Sequence, residues 1–259
     1  MTRRIVIISD TQMPYEHRKA VQAVIRFIGE YQPDEVIHIG DLMDYPQPSR
    51  WNKNTRGEYA GSIKEDSEYA KRKFFEPLRS VYDGPVGVHE GNHDLRPRVY
   101  LDEYAPALSE VGDKPFHFET LLDFDGFGVT RLPDFNKIAP GWITTHGHLS
   151  KISMSRIAGN TALNAAKNFQ TSLIMGHTHR MGKLSHTFGY GGEVTRKVTG
   201  VEVGHLMDIR QASEQYLKRG TANWQMGFAV AKVDGRNVQV DTIPIDNRRF
   251  IVDDVTYQL

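Results

Sequence analysis

The 259-residue sequence contains no cysteine, which excludes disulfide bonds and metal sites built from thiolates. It has no excess charge of either sign, because 32 basic residues balance 32 acidic residues. This balance argues against a protein that coats nucleic acid or an anionic membrane through its overall charge, but it does not exclude an enzyme with a local basic patch. No apolar run approaches the roughly 20 residues that cross a bilayer, and no signal-peptide pattern precedes the first strand. These absences predict a cytoplasmic protein that does not enter membranes and whose metal ligands are His, Asp and Asn.

Strand and helix patterns alternate through the first half of the chain. In the first helix, Val24, Phe27 and Ile28 recur at helical spacing. This order at this spacing predicts βαβ crossovers and a parallel sheet. The patterns predict strands at 3–9, 33–41, 85–94, 127–132, 141–148 and 172–179, and helices at 19–31, 67–82, 96–111 and 153–169.

Beyond residue 180 the sequence changes to β-branched runs separated by turns. The Asp234-Gly235 pair between apolar alternations predicts a hairpin. We expect segment 180–259 to be an antiparallel set that completes a second sheet. No linker, repeat or low-complexity segment divides the chain, so one domain is predicted over residues 1–259.

Five short polar segments each follow a predicted strand. Taken singly, each is typical of a turn, a helix cap or a structural histidine. The carboxyl ends of parallel strands meet at one edge of a sheet, so we expect the five to share one crevice. So many carboxylates and nitrogen lone pairs need cations, and donors without sulfur suit Mn, Fe, Zn or Ni better than Ca. The segments are Asp10-Thr11-Gln12, Gly40-Asp41-Leu42-Met43-Asp44, Gly91-Asn92-His93-Asp94, His146-Gly147-His148 and Gly176-His177-Thr178-His179.

In this order the segments resemble the calcineurin-like metallophosphoesterases, whose motifs are D-x-H, G-D-x-x-D, G-N-H-[ED], a histidine segment and G-H-x-H. The resemblance implies an α/β fold, a four-layer αββα sandwich with two mixed β-sheets. It also implies two divalent metal ions, with Mn favoured and Fe, Zn or Ni as alternatives. A hydroxide shared by the two ions would attack the phosphate ester.

The resemblance also carries over a set of metal ligands. Asp41 would bridge both ions. His146 is preferred to His148 as a ligand because it directly follows the predicted strand, and His148 is expected near the substrate. The ligands of single ions would be Asp10 and His179 for the first ion, and Asn92, His146 and His177 for the second.

Gln12 stands where the family has a histidine that binds the first ion. Three outcomes are open. Gln12 binds through its amide oxygen or a water molecule, which favours a hard ion such as Mn; Asp44 supplies the missing ligand; or the first site is weak and activity depends on added metal. Phage-encoded sequences that resemble this one also read D-x-Q-x-P-Y. An active, phage-encoded enzyme acting in the host cytoplasm is therefore predicted.

The resemblance makes His93 the group that assists the leaving alcohol, with Asp94 orienting it. The G-N-H-D motif, and the absence of D-R-G after Asp41, resemble cyclic-nucleotide phosphodiesterases and repair nucleases. The predicted substrate is therefore a nucleotide-type phosphodiester. A DNA or RNA nuclease is the first alternative. A catalytically silent scaffold is the second, which His93 argues against.

Two basic segments have an open role. The insert 45–60 interleaves aromatic residues with Arg50, Lys53 and Arg56, so it is either a substrate-facing lip or a solvent loop anchored to the body by Trp51. Arg96 and Arg98 are either a phosphate clamp or helix-surface charges. Segment 180–259 carries no recognisable motif and forms either the rim of the pocket or the surface of a homo-oligomer.

Overall fold

The computed structural model describes residues 2–109, 114–149, 152–215, 217 and 220–259. The strands are β1 (Arg3–Ile8), β2 (Glu35–His38), β3 (Val86–Val88), β4 (Val129–Arg131), β5 (Asn136–Ala139), β6 (Trp142–Thr145), β7 (Ser172–Met175), β8 (Met181–Tyr190), β9 (Glu193–Val203), β10 (Gly227–Asp234), β11 (Asn237–Pro244), β12 (Arg249–Val252) and β13 (Val255–Gln258). The α-helices are α1 (Arg18–Tyr31), α2 (Ile63–Ala70), α3 (Glu76–Arg79), α4 (Arg96–Tyr104), α5 (Phe118–Leu121), α6 (Asn160–Phe169) and α7 (Ile209–Gln215). Short 3-10 helices occur at Arg56–Tyr59 and Pro106–Leu108, and a π-helical turn at Lys71–Phe75 joins α2 to α3.

The larger sheet has six strands in the order β11-β10-β1-β2-β3-β4. Strands β1 to β4 run parallel to their neighbours, as the βαβ pattern predicts. β10 pairs with β1 in antiparallel orientation, with Ala229 opposite Ile7, and β11 continues the sheet. The hairpin predicted at Asp234-Gly235 is confirmed, because Asp234 pairs with Asn237 and Gly235 adopts a φ of +59°.

The smaller sheet has five strands in the order β5-β6-β7-β9-β8. β6, β7 and β9 are parallel, whereas β5 and β8 are antiparallel edge strands. The prediction that segment 180–259 completes this sheet is right for β8 and β9. It is wrong for β10 and β11, which join the larger sheet, and for β12 and β13, which pair with each other in a separate two-stranded sheet. The alternation of residues in β10 shows that its alanines face a core, but it does not show which of the two sheets β10 joins. Because each sheet contains strands from beyond residue 180, the topology supports one domain, which stays a prediction.

The two sheets pack face to face, and helices cover both outer faces. Ile5 and Ile37 of the larger sheet share a buried layer with Ile174 and Val201 of the smaller sheet. On one outer face, α1 buries its apolar stripe against β1 and β2. On the other, the alanines of α6 pack on β7 and β9. The result is the expected four-layer αββα sandwich with two mixed sheets.

Two helices are shorter than their sequence patterns predict. The helix expected at 96–111 ends at Tyr104, because Pro106 cannot continue it; residues 110–113 lie outside the described part of the chain. The helix expected at 153–169 begins only at Asn160, after Gly159 with a φ of +81°. In the described part of the chain, no helix is long and apolar enough to cross a membrane.

Candidate metal centre and active site

The predicted site residues follow the carboxyl ends of β1, β2, β3, β6 and β7, at one edge of the sandwich. Asp10, Gln12, Asp41, His177 and His179 all have φ between +47° and +65°, the left-handed region that is unfavourable for residues with a Cβ atom. Each such residue costs roughly 1–3 kcal/mol and persists only when neighbouring contacts enforce it. Here the loops bind one another, with the Gln12 N–H donating to the Asp41 carbonyl at 3.0 Å and the His177 N–H to Asp10 Oδ2 at 2.9 Å.

Two glycines allow this close approach of the loops. A Cβ atom on Gly91 would lie 2.1 Å from Asp41 Oδ1, and one on Gly176 would lie 1.9 Å from Ser9 Oγ. Both distances are far shorter than a van der Waals contact, so any larger residue would displace these loops. The glycines of the G-N-H-D and G-H-x-H motifs are therefore steric requirements of the site.

On one side of Asp41 lies a compact group of donors, the second-ion side. One ligand atom each from Asp41, His146 and His177 lies within 4.8 Å of the others. His146 Nε2 is 3.2 Å from Asp41 Oδ2 and 3.2 Å from Asn92 Oδ1. Because His146 Nδ1 donates to the Ile39 carbonyl at 2.8 Å, the neutral ring turns its Nε2 lone pair toward these two oxygens.

That arrangement needs a positive charge. Burial alone lowers the pKa of His146, but the adjacent Asp41 carboxylate raises it to about 9. A proton on Nε2 therefore supplies, between this nitrogen and the two oxygens, the positive charge that a bound metal ion would supply in its place. The donor set of the second-ion side thus fits a divalent cation.

The first-ion side is made of Asp10, Gln12 and His179. His179 Nε2 lies 3.2 Å from Asp10 Oδ1 and 3.0 Å from the Gln12 amide nitrogen. Within the described residues, Asp10 Oδ1 and Gln12 Oε1 are both buried and accept no hydrogen bond. Buried acceptors of this kind are costly, and a cation bound between them would relieve that cost. These side chains also fit a metal ion, with Gln12 as an oxygen donor.

His93 lies next to Asp41 and is held by Asp44 and Arg96. Its Nδ1 is 2.8 Å from Asp44 Oδ1, and Arg96 Nη2 is 3.2 Å from its Nε2. Burial lowers the pKa of His93, but Asp41 and the hydrogen bond to Asp44 raise it by more, so the net shift is upward. The environment therefore favours the protonated imidazole that a leaving-group acid needs.

The predicted pairing of Asp94 with His93 is corrected by these contacts. The Asp94 carboxylate accepts hydrogen bonds from the backbone N–H groups of Met43 and Gly91, both at 2.8 Å. Burial and the nearby Asp41 charge raise its pKa to about 7. Asp94 thus joins two site loops, and Asp44 orients His93. This engagement of Asp44 favours positioning over the alternative role as a replacement ligand of the first ion.

The remaining predicted residues separate into two groups. The His148 ring lies 5.3 Å from the His146 ring, and burial, followed by His146, lowers its pKa to about 4. Arg96 contacts the site, whereas Arg98 Nη2 forms an ion pair with Glu90 at 3.2 Å. His148 and Arg96 therefore line the site, and Arg98 braces the end of β3.

His205 and Trp224 also lie at the site, although the five motif segments include neither of them. His205 is fully buried with its ring 5.3 Å from that of His179, and the Trp224 ring lies 4.4 Å from His179 on the same first-ion side. The Met207 N–H donates to His205 Nδ1 at 3.1 Å, which places the proton of the neutral ring on Nε2. A signal was present, since Gly204-His205 follows β9 as Gly176-His177 follows β7.

Residues 3–189 match the family model of the calcineurin-like phosphoesterases, and the chain belongs to that family. It is 58% identical over 253 residues to the Gene 54 proteins of Mycobacterium phages D29 and L5, covering 98% of this chain and 98% of each relative. The family membership makes the protein a metal-dependent phosphoester hydrolase.

Similar solved structures include a metallophosphoesterase from Sphaerobacter thermophilus, with 16% identity, a TM-score of 0.43 and coverage of 93% of this chain and 87% of that chain. They also include vacuolar protein sorting 29 from Cryptosporidium parvum, with 14% identity, a TM-score of 0.44 and coverage of 98% and 94%.

Proposed function

We propose that the protein is a phosphodiesterase that hydrolyses nucleotide-type diesters with two divalent metal ions, of which Mn is preferred and Fe, Zn or Ni are alternatives. The observation that carries the proposal is the arrangement around Asp41. One group of buried nitrogen and oxygen donors surrounds this carboxylate, a second group lies at Asp10, Gln12 and His179, and a histidine whose pKa is raised lies beside Asp41. An amide oxygen at Gln12, in place of an imidazole, favours a hard ion such as Mn.

Bound ions would neutralise the phosphoryl oxygens and activate a water molecule. His93 holds the proton that the leaving oxygen takes up as the phosphorus–oxygen bond breaks. Asp44 keeps the imidazole oriented and stabilises its positive charge. The water oxygen joins phosphorus, one water proton passes to solvent, and the products are an alcohol and a phosphate monoester.

The two predicted clamp arginines support a diester rather than a monoester. A monoester carries up to two negative charges at neutral pH, whereas a diester carries one. The positive charge of Arg96 is shared with Asp44, at 3.5 Å, and that of Arg98 with Glu90. Neither guanidinium offers a full charge to a dianion, so the site matches the singly charged diester better.

A nuclease that cleaves DNA or RNA is the second candidate. The observation in its favour is the basic and aromatic insert beside His93, which includes the exposed Trp51. The scaffold alternative is disfavoured because a silent scaffold has no reason to keep His93 with a hydrogen bond to Asp44. The phage relatives support a phage-encoded enzyme, and we propose the host cytoplasm as its location.

The test is hydrolysis of bis-p-nitrophenyl phosphate against p-nitrophenyl phosphate by metal-stripped protein that is re-supplied with Mn, Ni, Zn or Mg. We expect Mn-dependent activity with preference for the diester. His93→Ala should lower kcat by about 10²–10⁴-fold. The matched control is His186→Ala, which removes a histidine packed on Phe188 of β8. A preference for the monoester, or no hydrolysis with any metal, would contradict the proposal.

A further inference from the structure

A groove of about 510 Å³ leads from Asn92 and His93 to the protein surface. One wall is segment 48–53 of the insert, and the other is helix α4. The residues that α4 contributes recur every three or four positions, from Arg96 to Tyr104, so one continuous helix face lines the groove. The volume lies within the range that binds a molecule of nucleoside size, roughly 300–1,000 Å³.

The exposure of Trp51 distinguishes between the two roles open for the insert, a substrate-facing lip and a solvent loop that Trp51 anchors. If Trp51 anchored a solvent loop to the body of the protein, it would be buried. Its side chain is 72% exposed, whereas Tyr45, at the start of the same insert, is fully buried and supplies the anchor. Trp51 lines the groove with the Arg50 guanidinium 4.8 Å from its ring centre. The large aromatic ring therefore faces solvent beside the active site, and together with Tyr100 and Tyr104 it forms an aromatic lining of the groove.

The walls of the groove are tied together by side-chain contacts. Lys53 Nζ donates to the Tyr104 hydroxyl, and the Tyr100 hydroxyl donates to Glu58 Oε1 at 2.6 Å. Both bonds join the insert to α4. The groove is thus a built feature of the fold rather than a gap between independent loops.

The chemistry of the lining selects the occupant. Flat aromatic rings of Trp51, Tyr100 and Tyr104 offer stacking surfaces, and bases stack on such rings. Among the lining residues that the structure describes, the cations Arg50 and Lys53 outnumber the one carboxylate, Glu103, while the charge of Arg96 is shared with Asp44. A planar base attached to an anionic phosphate matches both properties.

We propose that this groove binds the leaving-group nucleoside of the substrate and that Trp51 stacks on its base. The inference rests on the proposed phosphodiesterase activity and adds which half of the diester occupies the groove. His93 gives its proton to the leaving oxygen and lies at the inner end of the groove. The group bonded to that oxygen therefore lies in the groove, and the other ester substituent lies outside it.

The first test measures binding without metal or turnover. The probe is the fluorescent nucleoside 2-aminopurine deoxyriboside, whose emission is quenched by stacking. We expect saturable quenching by the wild-type protein, a Kd raised about tenfold or more in Trp51→Ala, and near-normal binding in Trp51→Phe. The matched control is Tyr59→Ala, because Tyr59 is 80% exposed in the same insert but is not among the groove residues.

The second test measures which ester bond is cleaved. The substrate is the methyl ester of thymidine 5′-monophosphate, whose two leaving groups are both primary alcohols. Wild type should release thymidine and methyl phosphate, and Trp51→Ala should shift the product ratio about tenfold toward methanol and thymidine monophosphate. Phosphorus NMR distinguishes the two products. A product ratio unchanged in Trp51→Ala would overturn the assignment of the groove to the leaving group.

The two proposals fail in different ways. If bis-p-nitrophenyl phosphate is hydrolysed but the nucleoside binds equally to wild type and Trp51→Ala, or to neither, the groove inference is wrong and the phosphodiesterase stands. If no diester is hydrolysed with any metal while Trp51-dependent quenching is observed, the groove binds nucleosides and the proposed activity is wrong.

Discussion

The two sides of Asp41 are built from loops of the same kind but from different donors. On the second-ion side, His146 is oriented by a hydrogen bond from Nδ1 to the Ile39 carbonyl. On the first-ion side, His179 Nδ1 has no hydrogen bond to the described residues, and its ring is held by stacking on His205 and by a tilted contact with Trp224. A carbonyl bond fixes both the tautomer and the direction of the lone pair, whereas stacking fixes only the ring plane.

The donor atoms also favour tighter metal binding on the second-ion side. The second-ion side offers two imidazoles, an amide and a carboxylate, while the first-ion side has Gln12 where the family has a histidine. Imidazole nitrogen binds Zn-like ions more strongly than an amide oxygen does. We therefore expect a second site that binds its ion tightly, and a first site that binds more weakly and prefers a harder ion such as Mn.

Asp41→Asn should have the largest effect, because this carboxylate is the proposed bridge between the two ions. Several kcal/mol of charge stabilisation would be lost with the ions, so kcat/KM toward bis-p-nitrophenyl phosphate should fall at least about 10³-fold. Mn binding measured by calorimetry should lose both sites. The exposed Asp83→Asn is the matched control, and two intact Mn sites in Asp41→Asn would refute the bridging role.

His146→Ala and His179→Ala compare the sides directly. His146→Ala should weaken the tighter Mn site at least about 100-fold, because it removes an oriented ligand. His179→Ala should leave that site within about threefold and abolish the weaker one. Calorimetric titration of metal-stripped protein measures both. Equal losses in the two variants would show that the sides are equivalent.

Gln12→His should reduce the difference in metal affinity between the two sides. An imidazole at this position should tighten the weaker site about tenfold and shift its preference from Mn toward Zn. Metal binding should then also raise the Tm further, since a ligand at 100 times its Kd stabilises the fold by about 2.7 kcal/mol. Gln22→His, on the exposed face of α1, controls for an added imidazole. Unchanged affinity would mean that Gln12 does not contact the first ion.

Glu202→Gln should have the smallest effect and should not distinguish the sides. Glu202 is fully buried and accepts hydrogen bonds from the Thr161 and Ala162 N–H groups and from the Thr178 hydroxyl. Thr178 lies between His177 and His179, so Glu202 holds one ligand of each side. The free energy of unfolding should fall by about 1–3 kcal/mol in urea titrations, with both metal affinities reduced equally. Exposed Glu193→Gln is the control.

Much of the candidate site could be predicted because its residues follow strands directly. A strand that ends on Asp10, Asp41 or His146 places that residue at the sheet edge whatever the rest of the fold does. The partner of His93 could not be predicted in this way. Asp94 is adjacent in sequence but faces the backbone of Met43 and Gly91, and Asp44 reaches the imidazole from another loop.

His205 is a second residue whose contacts in the site could not be predicted from the sequence. Its position after β9 was visible as a Gly-His pair at a strand end. Its contact with His179, however, depends on β9 lying beside β7 in the smaller sheet. Pairing of strands distant in sequence is set by how the faces pack, and alternation of apolar residues does not encode it.

The sequence by itself determined the parallel βαβ core, the order of the motifs, the family and the donor types available to metal ions. These follow from short-range rules, because periodicity and motif spacing act over a few residues. Only the tertiary structure decided that β10 and β11 extend the larger sheet, that Asp44 rather than Asp94 orients His93, and that Trp51 is exposed in a groove beside it. Each of these depends on contacts between loops and sheet edges that are far apart in the chain, where packing and burial choose among partners the sequence leaves equivalent.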